Sequence, residues 1–326
     1  MTNRKNKIKA PKVNDIDYKS IKLLTGSDLS IRRLPLMTVK SKNPGPTVWL
    51  TACAHGDEVG GMAIIQEIFK KIKRNPLKNG ILHSFPLMNP IGFETASRDV
   101  TLTDEDLNRS FKGSSNGSVA ERIADKIFTT IKDSNPDLVL DLHNDWRKSI
   151  PYTVIDKIPN ETKKEIKEKT LSIANVIGFP IINEEKGVDK SLTFNLLKEN
   201  IPAITLELGE SYMINERNVL QGVNAIWNVL VELKMVEPMN NETDMENKIE
   251  SYKYYQEPLC SRSGIIRFKV KPGQFVKKGE VLAKIYNAFG RNLDTLEALK
   301  DGLVLGHYDS SVVFPGIPII AFGVKE

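Results

Sequence analysis

The strongest constraint on what this chain can become is a repeated alternation of short apolar runs with helix-spaced ones. Residues 47–54 are nearly all apolar, the composition of a strand covered on both faces. Behind them Met62, Ile65, Ile68, Phe69 and Ile72 recur at helical spacing until Asn75-Pro76 stops the helix. A strand is also predicted at 31–40, before the turn Pro44-Gly45-Pro46. The pattern continues with strands at 81–87, 138–142 and 203–208, and with helices near 119–131, 163–177, 192–197 and 218–233. Such alternation builds a central sheet covered by helices on both faces. Between 92 and 116 periodicity disappears, which marks a long connection of the kind that carries function.

Beyond residue 236 the chain changes character. Glu237-Pro238-Met239-Asn240-Asn241-Glu242 is polar and acidic, so a first domain is expected over 1–240, a linker over 241–251 and a second domain over 252–326. In that last stretch short β-like segments replace the helices. Ser263-Gly264-Ile265-Ile266 before Lys271-Pro272-Gly273 loosely matches Asp301-Gly302-Leu303-Val304 before Phe314-Pro315-Gly316. The repeat suggests two similar halves of a small barrel or sandwich.

Composition narrows the function classes. With 326 residues, 40% of them hydrophobic, the chain can bury a core without disulfides. The net charge of +5 comes from dispersed lysines and arginines, and runs such as 70–74 and 163–169 lie on polar helix faces. That distribution argues against a nucleic-acid footprint. Cys53 and Cys260 have no CxxC partner, in keeping with a reducing compartment, and Cys53 reads as a small buried hydrophobe. Residues 1–10 lead into no apolar signal core, and no run approaches 18 apolar residues. The expectation is a cytoplasmic protein with neither membrane nor nucleic acid as partner.

The chemistry gathers where strands end. Histidine occurs four times, at positions 55, 83, 143 and 307. His55-Gly56-Asp57-Glu58 follows the first buried strand, and the i,i+3 spacing can bring imidazole and carboxylate to one side. His143 closes the segment Asp141-Leu142-His143. Two imidazoles and one carboxylate form a zinc set that leaves a position open for water. Glu207, after the apolar run 203–206, is placed for proton transfer, with Glu210 as its substitute. Arg98 and the pair Asn108-Arg109 lie in the long connection, where an arginine can grip a carboxylate with two parallel N–H groups. His83, inside a predicted strand, and His307, in the second domain, read as structural.

In this order, His55–Glu58, Arg98, Asn108-Arg109, His143 and Glu207, the chain resembles the succinylglutamate desuccinylase/aspartoacylase family of zinc amidohydrolases, related to metallocarboxypeptidases. The likeness spans roughly 31–233. It implies an α/β phosphorylase/hydrolase-like zinc-carboxypeptidase fold with a mixed central sheet, followed by a lipoyl/biotinyl-like all-β barrel. No lysine of that barrel sits at a cofactor-attachment turn, so Lys300 is expected to be unmodified. The resemblance further implies one Zn²⁺ per subunit held by His55, Glu58 and His143, and Glu207 as the catalytic base. Arg98 would meet the scissile carbonyl or a substrate carboxylate, and Asn108 and Arg109 would fix a substrate carboxylate. The implied reaction is hydrolysis of an N-acyl amino acid or related small amide, with an acidic or carboxylate-bearing substrate. The same apparatus would also serve a metallocarboxypeptidase acting on short peptides or an ester hydrolase. An inactive small-molecule sensor or assembly protein would keep the pocket without turnover, and the β domain offers surface through which subunits could pair.

Overall fold

In the computed structural model, which describes residues 15–26, 29–184, 188–238 and 250–325, a mixed sheet runs through the molecule. The strands in chain order are β1 (Asp17–Thr25), β2 (Ile31–Lys40), β3 (Asn43–Ala52), β4 (Asn79–Phe85), β5 (Leu138–Asp145), β6 (Lys148–Ser149), β7 (Pro151–Ile155), β8 (Ile181–Asn183) and β9 (Ala203–Glu210). The C-terminal segment adds β10 (Ser251–Tyr255), β11 (Gly264–Phe268), β12 (Phe275–Val276), β13 (Val281–Tyr286), β14 (Asn292–Glu297), β15 (Gly302–His307), β16 (Val312–Val313) and β17 (Ile320–Val324). The helices are α1 (Gly60–Arg74), α2 (Pro90–Glu94), α3 (Val119–Asp133), α4 (Lys164–Ile177), α5 (Leu192–Lys198) and α6 (Glu216–Glu232).

Side-chain alternation assigns each strand residue to one of two helix layers. Leu138, Leu140 and Leu142 of β5 and Ile204, Leu206 and Leu208 of β9 join one core with α1, α4 and α6. Val139 and Ala203 face the other core, built with α3 and α5. Because the period is two, Asp141 and His143 share the face of Val139, and Thr205 and Glu207 share that of Ala203. The sheet is therefore apolar on both faces at one end and changes to chemistry-bearing groups on one face at the other. The predicted strands stopped at 142 and 208, whereas β5 and β9 continue to Asp145 and Glu210. His143 thus stands on its strand rather than beyond it, and Glu207 lies within β9 as expected.

The sheet order is β1-β2-β4-β3-β5-β9-β7-β8-β10-β17-β15-β12, with β6 on β15. β3, β4, β5 and β9 are parallel neighbours, while β7 runs antiparallel to β9. Past 250 the chain is all β. Its β10 pairs in parallel with β8, Tyr252 opposite Ile182, so the C-terminal strands continue the central sheet. β14-β13-β11-β16 form a second sheet, and the two halves of the weak repeat start strands in different sheets: Gly264 opens β11 and Gly302 opens β15. Leu282, Ile285, Val304, Val313, Ile320 and Phe322 fill the core between them. The expected linker falls almost wholly outside the described residues, as does the N-terminal extension through residue 14. Among the described residues no helix is long and apolar enough to cross a membrane.

Candidate active site

The loop after β3 delivers the first two groups. Cys53 turns the chain at a left-handed φ of 53°. Gly56 then presses against the α2 region, its N–H donating to Ser97 O at 2.9 Å. A Cβ at Gly56 would fall 2.0 Å from the Gly92 carbonyl carbon, so only glycine fits. Burial pushes the Cys53 thiol far up, which leaves it inert.

His55 Nδ1 lies 2.6 Å from Glu58 Oε1, and His143 Nδ1 lies 2.8 Å from Glu58 Oε2. Donor atoms of the three residues all lie within 4.8 Å of one another, and all three side chains are buried. Each ring turns its other nitrogen to a carboxylate: His55 Nε2 to Asp106 Oδ1 at 3.1 Å, His143 Nε2 to Asp141 Oδ2 at 3.0 Å. Nε2–H donation to those acceptors leaves both Nδ1 lone pairs pointing inward, the tautomer a metal requires. This donor set fits zinc: nitrogen, nitrogen and carboxylate oxygen, with carboxylates behind the rings.

Without a cation, protons take its place. Burial works against a charged His143, but Asp141 and Glu58 outweigh it and hold its pKa well above the ordinary imidazole value. His55 is raised in the same way, burial being overcome by Glu58 and then Asp106. Burial opposes ionisation of Glu58 too, yet the two imidazoles hold its carboxyl far below the usual range. Metal loading here must expel protons.

The long connection folds over this centre. Asp106 caps a 3-10 turn, Leu107–Arg109, by accepting from Asn108 N at 2.7 Å. Asn108 Oδ1 accepts from Leu192 N at 2.9 Å, which aims its Nδ2 at the site, 3.4 Å from His143 Nε2. That nitrogen already donates to Asp141, so the Asn108 amide N–H is left for another acceptor. Arg109 is steadied by donating to Asn108 O at 3.0 Å. Arg98 donates to Asp106 Oδ2 at 3.0 Å and comes within 3.5 Å of Glu58 Oε1.

Glu207 stands opposite His143 in the β5–β9 register. Its Oε2 is sealed from solvent and has no hydrogen-bond partner among the described residues. Burial, then the nearby Asp145 carboxylate, raise its pKa well above the usual carboxyl value. Desolvation pushes the half-buried Asp145 up to about 7, against the Tyr152 hydroxyl, whose hydrogen bond favours the ionised form. A cavity of about 260 Å³ opens here, lined among others by His143, Glu207, Arg98, Arg109, Tyr152 and Tyr254. Glu210, the substitute for Glu207, lies outside it: its Oε2 accepts from Asn215 Nδ2 at 2.6 Å and it borders a separate cleft.

The other two histidines are elsewhere. His83 stacks on Trp49 at 4.7 Å with Nδ1 on the Thr38 hydroxyl at 2.8 Å, and His307 stacks on Phe268 at 4.0 Å. Sequence reasoning missed Asp106, Asp141, Tyr152 and Tyr254 as parts of the site. Asp141 was within reach, since two residues before His143 on a strand means the same face. Tyr254 carries no local signal and enters only because β10 joins β8.

A profile described as the succinylglutamate desuccinylase/aspartoacylase catalytic domain matches residues 44–233. The chain is 28% identical over 285 residues to the N-alpha-acetyl-L-2,4-diaminobutyric acid deacetylase of Halomonas elongata, covering 82% of this chain and 79% of that one. Among solved structures it is similar to the product-bound ectoine utilization protein EutE (DoeB) of Ruegeria pomeroyi, with a TM-score of 0.81, 20% identity and coverage of 97% and 98% of the two chains. A metallo-carboxypeptidase from Burkholderia cenocepacia shares the fold more distantly, with a TM-score of 0.56, 15% identity and coverage of 66% and 64%. More than half of the sequence thus carries one catalytic-domain signature, and the chain belongs to the succinylglutamate desuccinylase/aspartoacylase family.

Proposed function

We propose that this protein is a zinc-dependent deacylase that hydrolyses small, carboxylate-bearing N-acyl amino acids in the cytoplasm. The observation that carries this reading is the convergence of His55, Glu58 and His143 near Glu207, whose buried Oε2 has no hydrogen-bond partner among the described residues. Those three residues would hold one Zn²⁺ per subunit, which when bound supplies an acidified water and polarises the scissile carbonyl.

The remaining work belongs to side chains. Glu207 takes a proton from the attacking water and returns it to the amide nitrogen as the C–N bond breaks, releasing a carboxylate and a free amine. The high proton affinity given it by burial suits a group that must carry a proton and then surrender it. Arg98 donates to the carbonyl oxygen as negative charge develops there. Asn108 offers its free amide N–H, and Arg109 its paired N–H groups, to the substrate carboxylate. The cavity of about 260 Å³ favours a small amide over a peptide, and the name of the Halomonas relative favours an amide over an ester. In this reading residues 1–240 carry the chemistry. Residues 252–326, a lipoyl/biotinyl-like β module, wall the pocket with Tyr254.

Glu207→Gln tests the assignment. Turnover should fall by at least about 100-fold, the scale of general acid–base help, while bound zinc is retained. His143→Ala should lose zinc. Near-normal turnover in the first variant would remove Glu207 from the mechanism, and full zinc occupancy in the second would remove the metal site.

A further inference from the structure

The floor of the cavity is a patch of sheet whose registers define rows of side chains. His143, Glu207 and Tyr152 form one row, and Asp141, Thr205, Val154 and Ile182 the next. One repeat further, just past the end of β7, stands Asp156, which lines the same cavity. Four residues of extended chain, about 13 Å, separate it from Tyr152. Asp156 therefore lies at the opposite end of the cavity from Glu207.

The Asp156 carboxylate is buried and held by hydroxyl groups. Asp156 is only 8% exposed. Its Oδ2 accepts from the Thr193 hydroxyl and, at 3.4 Å, from Ser191, and Thr193 in turn meets Thr205 at 3.2 Å. Among the described residues no lysine or arginine pairs with it, and Oδ1 takes part in no hydrogen bond. Burial pushes its pKa up, and the like charges of Asp141 and Glu184 act in the same direction. The cavity is thus bipolar, with Arg98 and Arg109 near the metal centre, and the buried Asp156 with the half-buried Glu184 beside it at the far end. A ligand satisfying both ends carries a carboxylate at one and a cation at the other.

We infer that Asp156 is a specificity residue that receives the positively charged end of the substrate side chain, so that the site selects N-acyl derivatives of basic amino acids rather than the acidic ones expected from the sequence. This rests on the deacylase reading above. The hydroxyls of Ser191 and Thr193 hold the carboxylate in place, and an incoming ammonium supplies a pairing that none of the described residues provides.

The test measures kcat/KM of the zinc-loaded protein for Nα-acetyl amino acids whose side chains match in length and end in ammonium, methyl or carboxylate. Chains of two, three and four methylene groups are compared. At the best length the ammonium substrate should exceed both others by at least about tenfold, the scale of one charge-assisted contact. Asp156→Asn should lower kcat/KM for that substrate about 10- to 100-fold and leave the methyl-ended one unchanged. Equal rates for the three substrates, or an Asp156→Asn variant that slows all alike, would overturn the inference and leave the deacylase reading standing. The wild-type panel decides even if the variant does not fold. If no substrate is hydrolysed, the deacylase reading fails instead. Calorimetric binding of the free amino acids then decides for Asp156: a preference for the basic ones supports its role, and no preference refutes it.

Discussion

Replacing Asp141 with Asn changes one atom's chemistry behind His143 while keeping the volume of a fully buried side chain. In the wild type Oδ2 faces His143 Nε2 at 3.0 Å and Oδ1 accepts from the Thr51 hydroxyl at 2.7 Å. If the new amide turns its oxygen to Nε2, a charge-assisted bond becomes a neutral one, a loss of roughly 1–1.5 kcal/mol or about tenfold in affinity. If it turns its NH₂ there, Nε2 must become an acceptor, and the ring hydrogen moves to Nδ1, the atom that faces Glu58. That tautomer cannot bind a metal through Nδ1. Between these cases zinc affinity should fall about 10- to 100-fold, in line with other outer-shell carboxylates. Competition with a chromophoric chelator measures it, and circular dichroism of the metal-free protein checks that the fold is intact. Unchanged zinc affinity in a folded variant would show that His143 Nδ1 is not a ligand. Asp106→Asn, behind His55 but partly exposed, should do less.

Three further outcomes follow from the geometry. Gly56→Ala must force apart the His55–Glu58 loop and the start of α2, costing about 1–3 kcal/mol by thermal melting together with bound zinc; an unaffected melt would refute the tight approach. Arg109→Lys keeps the charge but loses the paired donors, so KM should rise about tenfold with kcat largely held, and a fall confined to kcat would place Arg109 at the reacting atoms instead. His83 and His307 are both lowered to about 4, mainly by burial. The unfolded chain gains these protons below its ordinary value near 6.5 while the folded one refuses them, so their stabilisation is complete above that value and is lost as pH falls towards 4. In metal-free protein His55 and His143 act with the opposite sign, since their raised values give stability that is lost as pH rises. A His83→Gln, His307→Gln double variant isolates the first effect: its melting temperature should drop less between pH 7 and pH 4 than that of the wild type, and an equal drop would refute the assignment.

Much of the first half of the fold was legible in the chain because its elements are long and periodic. The helix around Ile65, Ile68 and Ile72 and the strand around Val48 and Leu50 need no partner to declare themselves. The missed elements, β1, β7, β8 and α2, are short, open with proline or lie at an edge, and hold their place through register rather than through a pattern of their own. The C-terminal segment was legible as β, but its fusion to the central sheet through β10 and β8 was not.

The candidate site divides along the same line. His55, Glu58, His143 and Glu207 stood out because polar groups ending apolar runs break a local rule that can be seen in one dimension, whereas Asn108 and Arg109, in the aperiodic connection, drew their meaning from the ordered set of motifs. Which nitrogen of each histidine faces Glu58, which carboxylate stands behind each ring, and the presence of Tyr152, Asp156 and Tyr254 around one cavity were decided by strand pairing across large sequence separations. Local sequence sets which residues can be buried and how side chains alternate along a strand. Only the packed sheet determines which alternating rows meet, because register is set by the cooperative burial of whole faces rather than by any one residue.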